Sequence, residues 1–341
     1  MLFIRADMNE HIATGHMMRC ISIANAAREF GQDVLFITSD NKGEKLLTAN
    51  GFEYLNLNSD YLDLMQGVDT IKGLVTKNDI LLIDTYSRTK EFMCALRGYV
   101  YTAYIDDMGE QVFNVDCIIC YPPYYNKFNY EERYKGCNTR FLLGTRYVPL
   151  RMEFIECNKK IINADIENIL IVSGGSDPYN ITPKLIEEII QSEYNDLHII
   201  AVCGVYSTYH DDLCSKYNSQ GTNVTIIPST PKIKQLFDDA DVVITAAGST
   251  LYEICATGTP AISYTYADNQ IPNADVFCKL NLITNVGDVR KTHDFGKRCI
   301  KELIRLTNPE TRRQISVRMQ SLVDGNGSNN IIKEFFGESL S

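Results

Sequence analysis

The chain alternates along its length between short runs rich in Ile, Val and Leu and stretches with helical periodicity. Strand-like runs fall at 2–6, 33–38, 79–84, 101–105 and 117–121 in the first half, and at 168–173, 198–204, 223–228, 241–245, 259–264 and 282–285 in the second. Helical stretches lie between them, at 17–30, 233–240, 251–257 and 274–280. In the first of these Met17, Ile21, Ala24 and Ala27 form one apolar face, and Gly31 supplies a stop. Continuous apolar strands separated by helices predict an α/β protein with parallel sheets covered on both faces. Two sheets of five or six strands fit this pattern better than one of eleven. The 341 residues suffice for roughly two domains. The break is expected near 145–166, where the polar stretch 156–167 precedes the next strand. The expected units are an N-terminal domain, 1–155, a C-terminal domain, 160–325, and a closing helical segment, 326–341, crossing back onto the first domain. Each domain reads as a Rossmann-like doubly wound parallel sheet, and the two are expected to face each other across a cleft.

Composition excludes several classes. A formal charge of −10 argues against a broad nucleic-acid footprint. No apolar run reaches the ~18–20 residues of a membrane span. Residues Met1 to Asp7 lack the basic flank and cleavage site of a secretory leader, so a cytoplasmic location is expected. The eleven cysteines read as reduced thiols used as small hydrophobes. Cys117 and Cys120 have redox or zinc spacing, but a strand would point them to opposite faces, and no second pair follows. Asp239 and Asp241 have the look of a metal motif, yet they stand at the start of a strand and read as a surface pair. No metal and no cofactor is expected, and oligomeric state is left open.

Ligands of parallel sheets bind beyond the carboxyl ends of strands, so the informative loops are those that follow each strand. After the first come Arg5 and Asp7, then Gly15-His16-Met17-Met18-Arg19 at the start of a helix. Gly15 permits close approach of a ligand to the backbone. A neutral His16 there can take a proton from water or a hydroxyl, an effect worth about 10²–10⁴ in rate; the alternative is a capping or core histidine. Asp84-Thr85-Tyr86 follows the third strand-like run and Asp106-Asp107 the fourth. These carboxylates can orient His16, bind sugar hydroxyls or act as bases, or they can cap the next helix.

The second half opens with Ser173-Gly174-Gly175-Ser176-Asp177-Pro178, then a helix start with Thr182 as N-cap and Pro183 in the first turn. Glycines between a strand and a helix expose backbone N–H groups, a cradle for phosphate oxygens. A second such turn is Ala247-Gly248-Ser249-Thr250-Leu251-Tyr252-Glu253. Ser249 and Thr250 can donate to a diphosphate. Glu253 can accept from ribose hydroxyls or complement the helix dipole. Asp268, Asn269, Gln270 and Asn273 are suited to sugar hydroxyls or to turn structure. Neither G-x-G-x-x-G nor G-x-x-x-x-G-K-[ST] is present, which disfavours a nicotinamide cofactor and a P-loop.

Together, the segments Arg5–Asp7, Gly15–Arg19, Ser173–Pro178, Ala247–Glu253 and Asp268–Gln270 resemble the UDP-2,4-diacetamido-2,4,6-trideoxy-β-L-altropyranose hydrolases of pseudaminic acid biosynthesis. Those enzymes are similar to the MurG-like GT-B glycosyltransferases. The resemblance runs from Leu2 to about Leu282 and implies a GT-B fold. UDP would be held mainly by the C-terminal domain, with Gly174, Gly175, Ser176, Gly248, Ser249 and Thr250 at the diphosphate and Glu253 at the ribose. Uracil would lie near Ile227-Pro228-Ser229, and Gln270 and Asn273 would touch the sugar. His16 matches the family's catalytic histidine, which activates water for inverting attack at the anomeric carbon without a bound metal. Asp84 and Tyr86 belong to the same catalytic group.

The resemblance therefore implies hydrolysis of a UDP-linked amino or deoxy sugar, in nonulosonate or surface-polysaccharide biosynthesis. Where the family carries Asp-His-Tyr, this chain has Asp84-Thr85-Tyr86. That difference motivates one alternative, a GT-B glycosyltransferase passing the sugar to a hydroxyl acceptor. A second alternative is a non-catalytic binder of nucleotide sugars.

Overall fold

A computed structural model describes residues 1–9, 14–87, 90–175, 177–204, 206–218 and 221–337. It divides into two units. One comprises Met1–Ile155 with the segment that begins at Gly325, and the other is Glu156–Asp324.

The first unit contains strands β1 (Leu2–Ala6), β2 (Val34–Thr38), β3 (Glu53–Asn56), β4 (Ile80–Asp84), β5 (Tyr101–Ile105), β6 (Cys117–Cys120) and β7 (Arg140–Leu143). They form one sheet in the order β3-β2-β1-β4-β5-β6-β7, with every neighbouring pair parallel. In register, Ile4 lies opposite Phe36 on one side and Leu82 on the other. β1 and β4 are buried throughout, as central parallel strands covered on both faces must be. Each buried Leu or Ile there contributes about 1.5–3 kcal/mol. The sheet holds seven strands where five were expected in this half. Both additions, β3 and β7, are four-residue strands at the two edges, and neither is fully buried.

Helix α1 (Gly15–Glu29) follows β1, and the chain leaves it through Gly31 at φ 77°. A left-handed residue ends a helix cheaply only when it carries no Cβ. Helices α2 (Glu44–Ala49), α3 (Val68–Leu74), α4 (Lys90–Leu96) and α5 (Tyr130–Arg133) complete the first stretch. Cys120 joins the core on one face of the sheet, with Phe92, Tyr104 and Phe113. Cys117 is also fully buried but lies outside that core, so the two thiols do not act as a pair.

The second unit contains β8 (Asn168–Val172), β9 (His198–Cys203), β10 (Val224–Pro228), β11 (Val242–Ala246), β12 (Ala261–Thr265) and β13 (Ile283–Asp288). Their order is β10-β9-β8-β11-β12-β13, again all parallel. The helices are α6 (Ile181–Ile190), α7 (His210–Tyr217), α8 (Ile233–Asp239), α9 (Thr250–Thr257), α10 (Ile271–Lys279), α11 (Phe295–Leu306) and α12 (Pro309–Leu322). A last helix, α13 (Gly327–Phe336), belongs to the first unit and packs against α1. The Glu334 carboxylate pairs with Arg140 and accepts from the Tyr147 hydroxyl at 3.1 Å.

Two expectations in the second unit are corrected. Asp241 is not a surface residue but a buried strut. Its carboxylate accepts from the Glu167 and Asn168 amides, at 2.8 and 2.9 Å, and from the Asn163 side chain. Thr182 is not the N-cap of α6, because the helix starts at Ile181 and Thr182 already lies in its first turn. Asp177 does the capping, its two oxygens accepting from the Ile181 and Thr182 amides at 2.9 Å each. Nearby, Lys160 donates to the carbonyls of Phe237 and Ala240 at 2.8 and 2.7 Å, where α8 ends. Burial pulls its ammonium down to about 8 against the attraction of Asp238.

Candidate active site

Both sheets reverse their strand order between two central strands, β1 and β4 in one and β8 and β11 in the other. Chain leaving such a pair diverges to opposite faces and opens a crevice at the carboxyl ends. Most of the side chains singled out in the sequence follow these four strands, while Asp106 and Asp107 follow β5, and Asp268, Asn269, Gln270 and Asn273 follow β12.

In the first unit, β1 leads to α1 and His16, and β4 ends at Asp84. His16 Nδ1 lies 2.5 Å from Asp84 Oδ1. An ionised carboxylate can only accept, so Nδ1 carries a hydrogen even though Arg19 Nη2 lies 3.2 Å from it, and in the neutral ring Nε2 presents a lone pair. Among the described residues, Nε2 has no hydrogen-bond partner. The His16 ring is almost buried and meets Tyr86 edge-on, with centroids 4.3 Å apart. Arg19, one turn after His16 on α1, grips the same carboxylate through Nε at 2.6 Å and Nη2 at 2.5 Å. Its Nη1 donates to Asp107 at 2.8 Å and to the Tyr121 hydroxyl at 2.6 Å. Burial of Asp84 favours its neutral form, but Arg19 and His16 outweigh that and hold it well below the usual carboxylate range.

In the second unit the turn after β8 carries Gly174 at φ 84°, a conformation that favours glycine. Gly204, after β9, packs directly on it, and a Cβ there would stand 2.2 Å from the Gly174 carbonyl oxygen and 2.3 Å from that of Gly175. The Tyr206 amide donates to the Gly175 carbonyl at 2.9 Å, and the Tyr209 hydroxyl bonds Asp177. The turn is thus fixed from below by a second loop. After β11, Gly248 and Ser249 lead into α9, whose N-terminus has no side-chain cap. The Leu251 and Tyr252 amides donate back to the Gly248 and Ser249 carbonyls at 3.2 and 3.0 Å, the Ser249 and Thr250 amides have no partner among the described residues, and Glu253 stands in the same turn.

Four glycines share a property. A Cβ at Gly15, Gly73, Gly175 or Gly248 would meet no protein atom within 4 Å among the described residues, and none of the four has positive φ. Neither packing nor backbone conformation explains glycine there.

The structure reassigns several expected ligand residues. Arg5 and Asp7 are buried and joined at 2.5 Å, and Asp7 also accepts from the Ser39 amide and hydroxyl, both at 2.7 Å. They support the loop after β1. Asp106 accepts from the Gly109 amide at 2.8 Å and the Tyr130 hydroxyl at 2.9 Å, as the builder of its own turn. Thr85 is buried, and its hydroxyl accepts from the Ser87 amide at 3.0 Å. Gln270 uses its carbonyl oxygen on the Tyr266 amide, and Asn273 uses its own on the Tyr252 hydroxyl, at 2.9 and 2.8 Å. Their amide nitrogens have no partner among the described residues. Asp268 is exposed and held at 2.6 Å by Arg290, which also forks onto Asp288. Asn269 is exposed, and Ser176 lies outside the described residues. The sequence reading missed Tyr121, Gly204 and Tyr209. Tyr121 and Gly204 stand just beyond a strand end, Tyr209 immediately before α7, and none belongs to a recognisable motif.

Comparison with known proteins bears on the fold. Residues 169–326 match the C-terminal domain of glycosyltransferase family 28. The chain is 29% identical over 273 residues to the uncharacterized protein MJ1062 of Methanocaldococcus jannaschii, covering 76% of this chain and 54% of that one. It is 28% identical over 157 residues to the pseudaminic acid cytidylyltransferase and UDP-2,4-diacetamido-2,4,6-trideoxy-beta-L-altropyranose hydrolase of Helicobacter pylori, covering 46% and 28%. The chain thus spans about half, or less, of the length of these relatives. The crystal structure of Acinetobacter baumannii MurG superposes with a TM-score of 0.69 at 15% identity, over 98% of this chain and 99% of the other. Among the described residues no helix is long and apolar enough to cross a membrane. The protein has the GT-B fold of two Rossmann-like parallel-sheet domains, and it is glycosyltransferase-like, its second unit matching a family 28 C-terminal domain.

Proposed function

We propose that the protein hydrolyses a UDP-linked amino or deoxy sugar, releasing UDP with inversion at the anomeric carbon. The observation that carries this reading is His16, whose Nδ1 is tied to Asp84 at 2.5 Å while Nε2 is left with a lone pair. Nε2 takes a proton from water as the water oxygen bonds to the anomeric carbon. The bond from that carbon to the β-phosphate oxygen breaks, and its electrons leave with UDP. Departure of an anion is helped by backbone N–H groups and a helix N-terminus, which the Gly174–Gly175 turn and the start of α9 supply. Glu253 is the residue for the ribose hydroxyls. Support for water as acceptor comes from the similarity to the Helicobacter pylori protein, whose name includes such a hydrolase.

The same His16 lone pair serves equally to deprotonate a sugar or lipid hydroxyl. The family 28 match and the MurG-like fold favour this second reading, a glycosyltransferase. The deciding experiment incubates the protein with UDP-2,4-diacetamido-2,4,6-trideoxy-β-L-altropyranose and other UDP-sugars, with and without hydroxyl acceptors, and measures UDP. Release without acceptor supports hydrolysis. Release only with acceptor makes the protein a transferase. UDP binding without release from any UDP-sugar, with or without acceptor, sinks both.

A further inference from the structure

We propose that Arg19 is a positioning residue, whose guanidinium fork keeps Asp84 ionised and in one orientation so that His16 holds its hydrogen on Nδ1 and offers Nε2 as the base. The inference rests on reading His16 as the proton acceptor.

The geometry leaves Arg19 little to offer a ligand. Its side chain is 11% exposed, four of the guanidinium's five donors go to Asp84 (two), Asp107 and Tyr121, and Nη2, which carries the fifth, also lies 3.2 Å from His16 Nδ1. Those partners stand at the ends of β4, β5 and β6, so one side chain on α1 ties three successive strand ends to the helix that carries His16.

Each Asp84 oxygen takes two contacts. Oδ1 faces His16 Nδ1 and Arg19 Nη2, both at 2.5 Å. Oδ2 faces Arg19 Nε at 2.6 Å and the Cys20 thiol at 3.4 Å. Gripped through both oxygens, the carboxylate cannot rotate away from the imidazole. The charge matters as much as the fork. A carboxylate buried without a cation is driven to its neutral form. A protonated Asp84 would donate to Nδ1 instead of accepting from it, and the ring hydrogen would then sit on Nε2. The imidazole would remain in place but could no longer accept a proton from the attacking hydroxyl. Arg19 therefore sets the tautomer of His16. Lysine supplies a point charge but not two parallel donors, so it can replace the charge without the alignment.

The test compares wild type with Arg19→Met and Arg19→Lys, using two readouts. The first is the His16 tautomer, read from ¹⁵N imidazole shifts and assigned by loss of signal in His16→Ala. It needs no substrate. The expected result is hydrogen on Nδ1 in wild type and in Arg19→Lys, and on Nε2 in Arg19→Met. The second is steady-state UDP release. Expected are a kcat lower by about 10²–10⁴-fold in Arg19→Met, with KM and UDP affinity little changed, and a smaller loss, about tenfold, in Arg19→Lys. A raised KM with kcat preserved would make Arg19 a substrate ligand and overturn the inference. So would an unchanged His16 tautomer in Arg19→Met. Should Arg19→Met not fold, Arg19→Lys carries the same split between kcat and KM. If wild type releases no UDP but its tautomer depends on Arg19, the proposed activity fails and the positioning role stands.

Discussion

His16 and Asp84 are separated by 68 positions in the chain, yet Nδ1 of one and Oδ1 of the other lie 2.5 Å apart. The contact joins the helix after β1 to the end of β4, and it makes Asp84→Asn the most informative single change. The Asp84 carboxyl is held below its ordinary value, so its contribution to stability is fully present above about pH 4 and is lost as pH falls through the lowered folded value. Asp84→Asn should cost about 3–5 kcal/mol near neutrality, because Arg19 loses the more buried of its two carboxylate partners and keeps only Asp107. In urea unfolding the gap between wild type and variant should narrow steadily as the buffer is taken well below about pH 4. A gap independent of pH would contradict the ion pair.

His16→Ala should abolish turnover without weakening nucleotide binding. The expected loss in UDP release is about 10²–10⁴-fold, the usual yield of general-base catalysis. UDP affinity measured by calorimetry should stay at the wild-type value. A parallel fall in affinity would move His16 from the reaction to the binding of UDP.

Gly204→Ala and Gly175→Ala separate the support of the glycine turn from its use. The first places a Cβ against two carbonyl oxygens and should destabilise the protein by about 1–3 kcal/mol in thermal unfolding. The second meets no protein atom, so stability should hold. UDP affinity should nevertheless fall by about tenfold, or about 1.4 kcal/mol. Unchanged affinity in Gly175→Ala would remove that turn from the diphosphate site.

Glu253 lies in the first turn of α9, where a carboxylate serves either a ribose or the helix dipole. Wild type should bind UDP more tightly than 2′-deoxy-UDP, and Glu253→Gln should shrink that preference to near unity. A helix-dipole role predicts instead a small loss of stability with the preference intact.

The central strands were readable because burial on both faces demands unbroken apolar sequence, as in Ile80-Leu81-Leu82-Ile83. The edge strands were not. β3 reads Glu53-Tyr54-Leu55-Asn56, and a strand paired on one side only can keep polar residues. His16 and the two glycine turns stood out because helix starts after strands have few uses. The partners that fix them were hidden. Arg19, Asp107 and Tyr121 meet only after three strands have been aligned, and sequence spacing carries no trace of that. Asp177 was quoted within a motif, but its role as cap required its backbone conformation, φ 43°, to be seen. Asp241 looked like surface because a carboxylate at a strand start normally is, and only its amide donors show otherwise.

The placement of α13 bears on how the chain matures. Its residues follow all of the second unit, yet they pack on α1 of the first. During synthesis the strands of the earlier unit emerge first but lack that cover until the remainder has been translated. Exposed α1 surface would persist throughout elongation, while the later unit, continuous in sequence, has all its own elements in hand sooner. A nascent chain halted before Gly327 should therefore be protease-sensitive in its older half and resistant in its younger one.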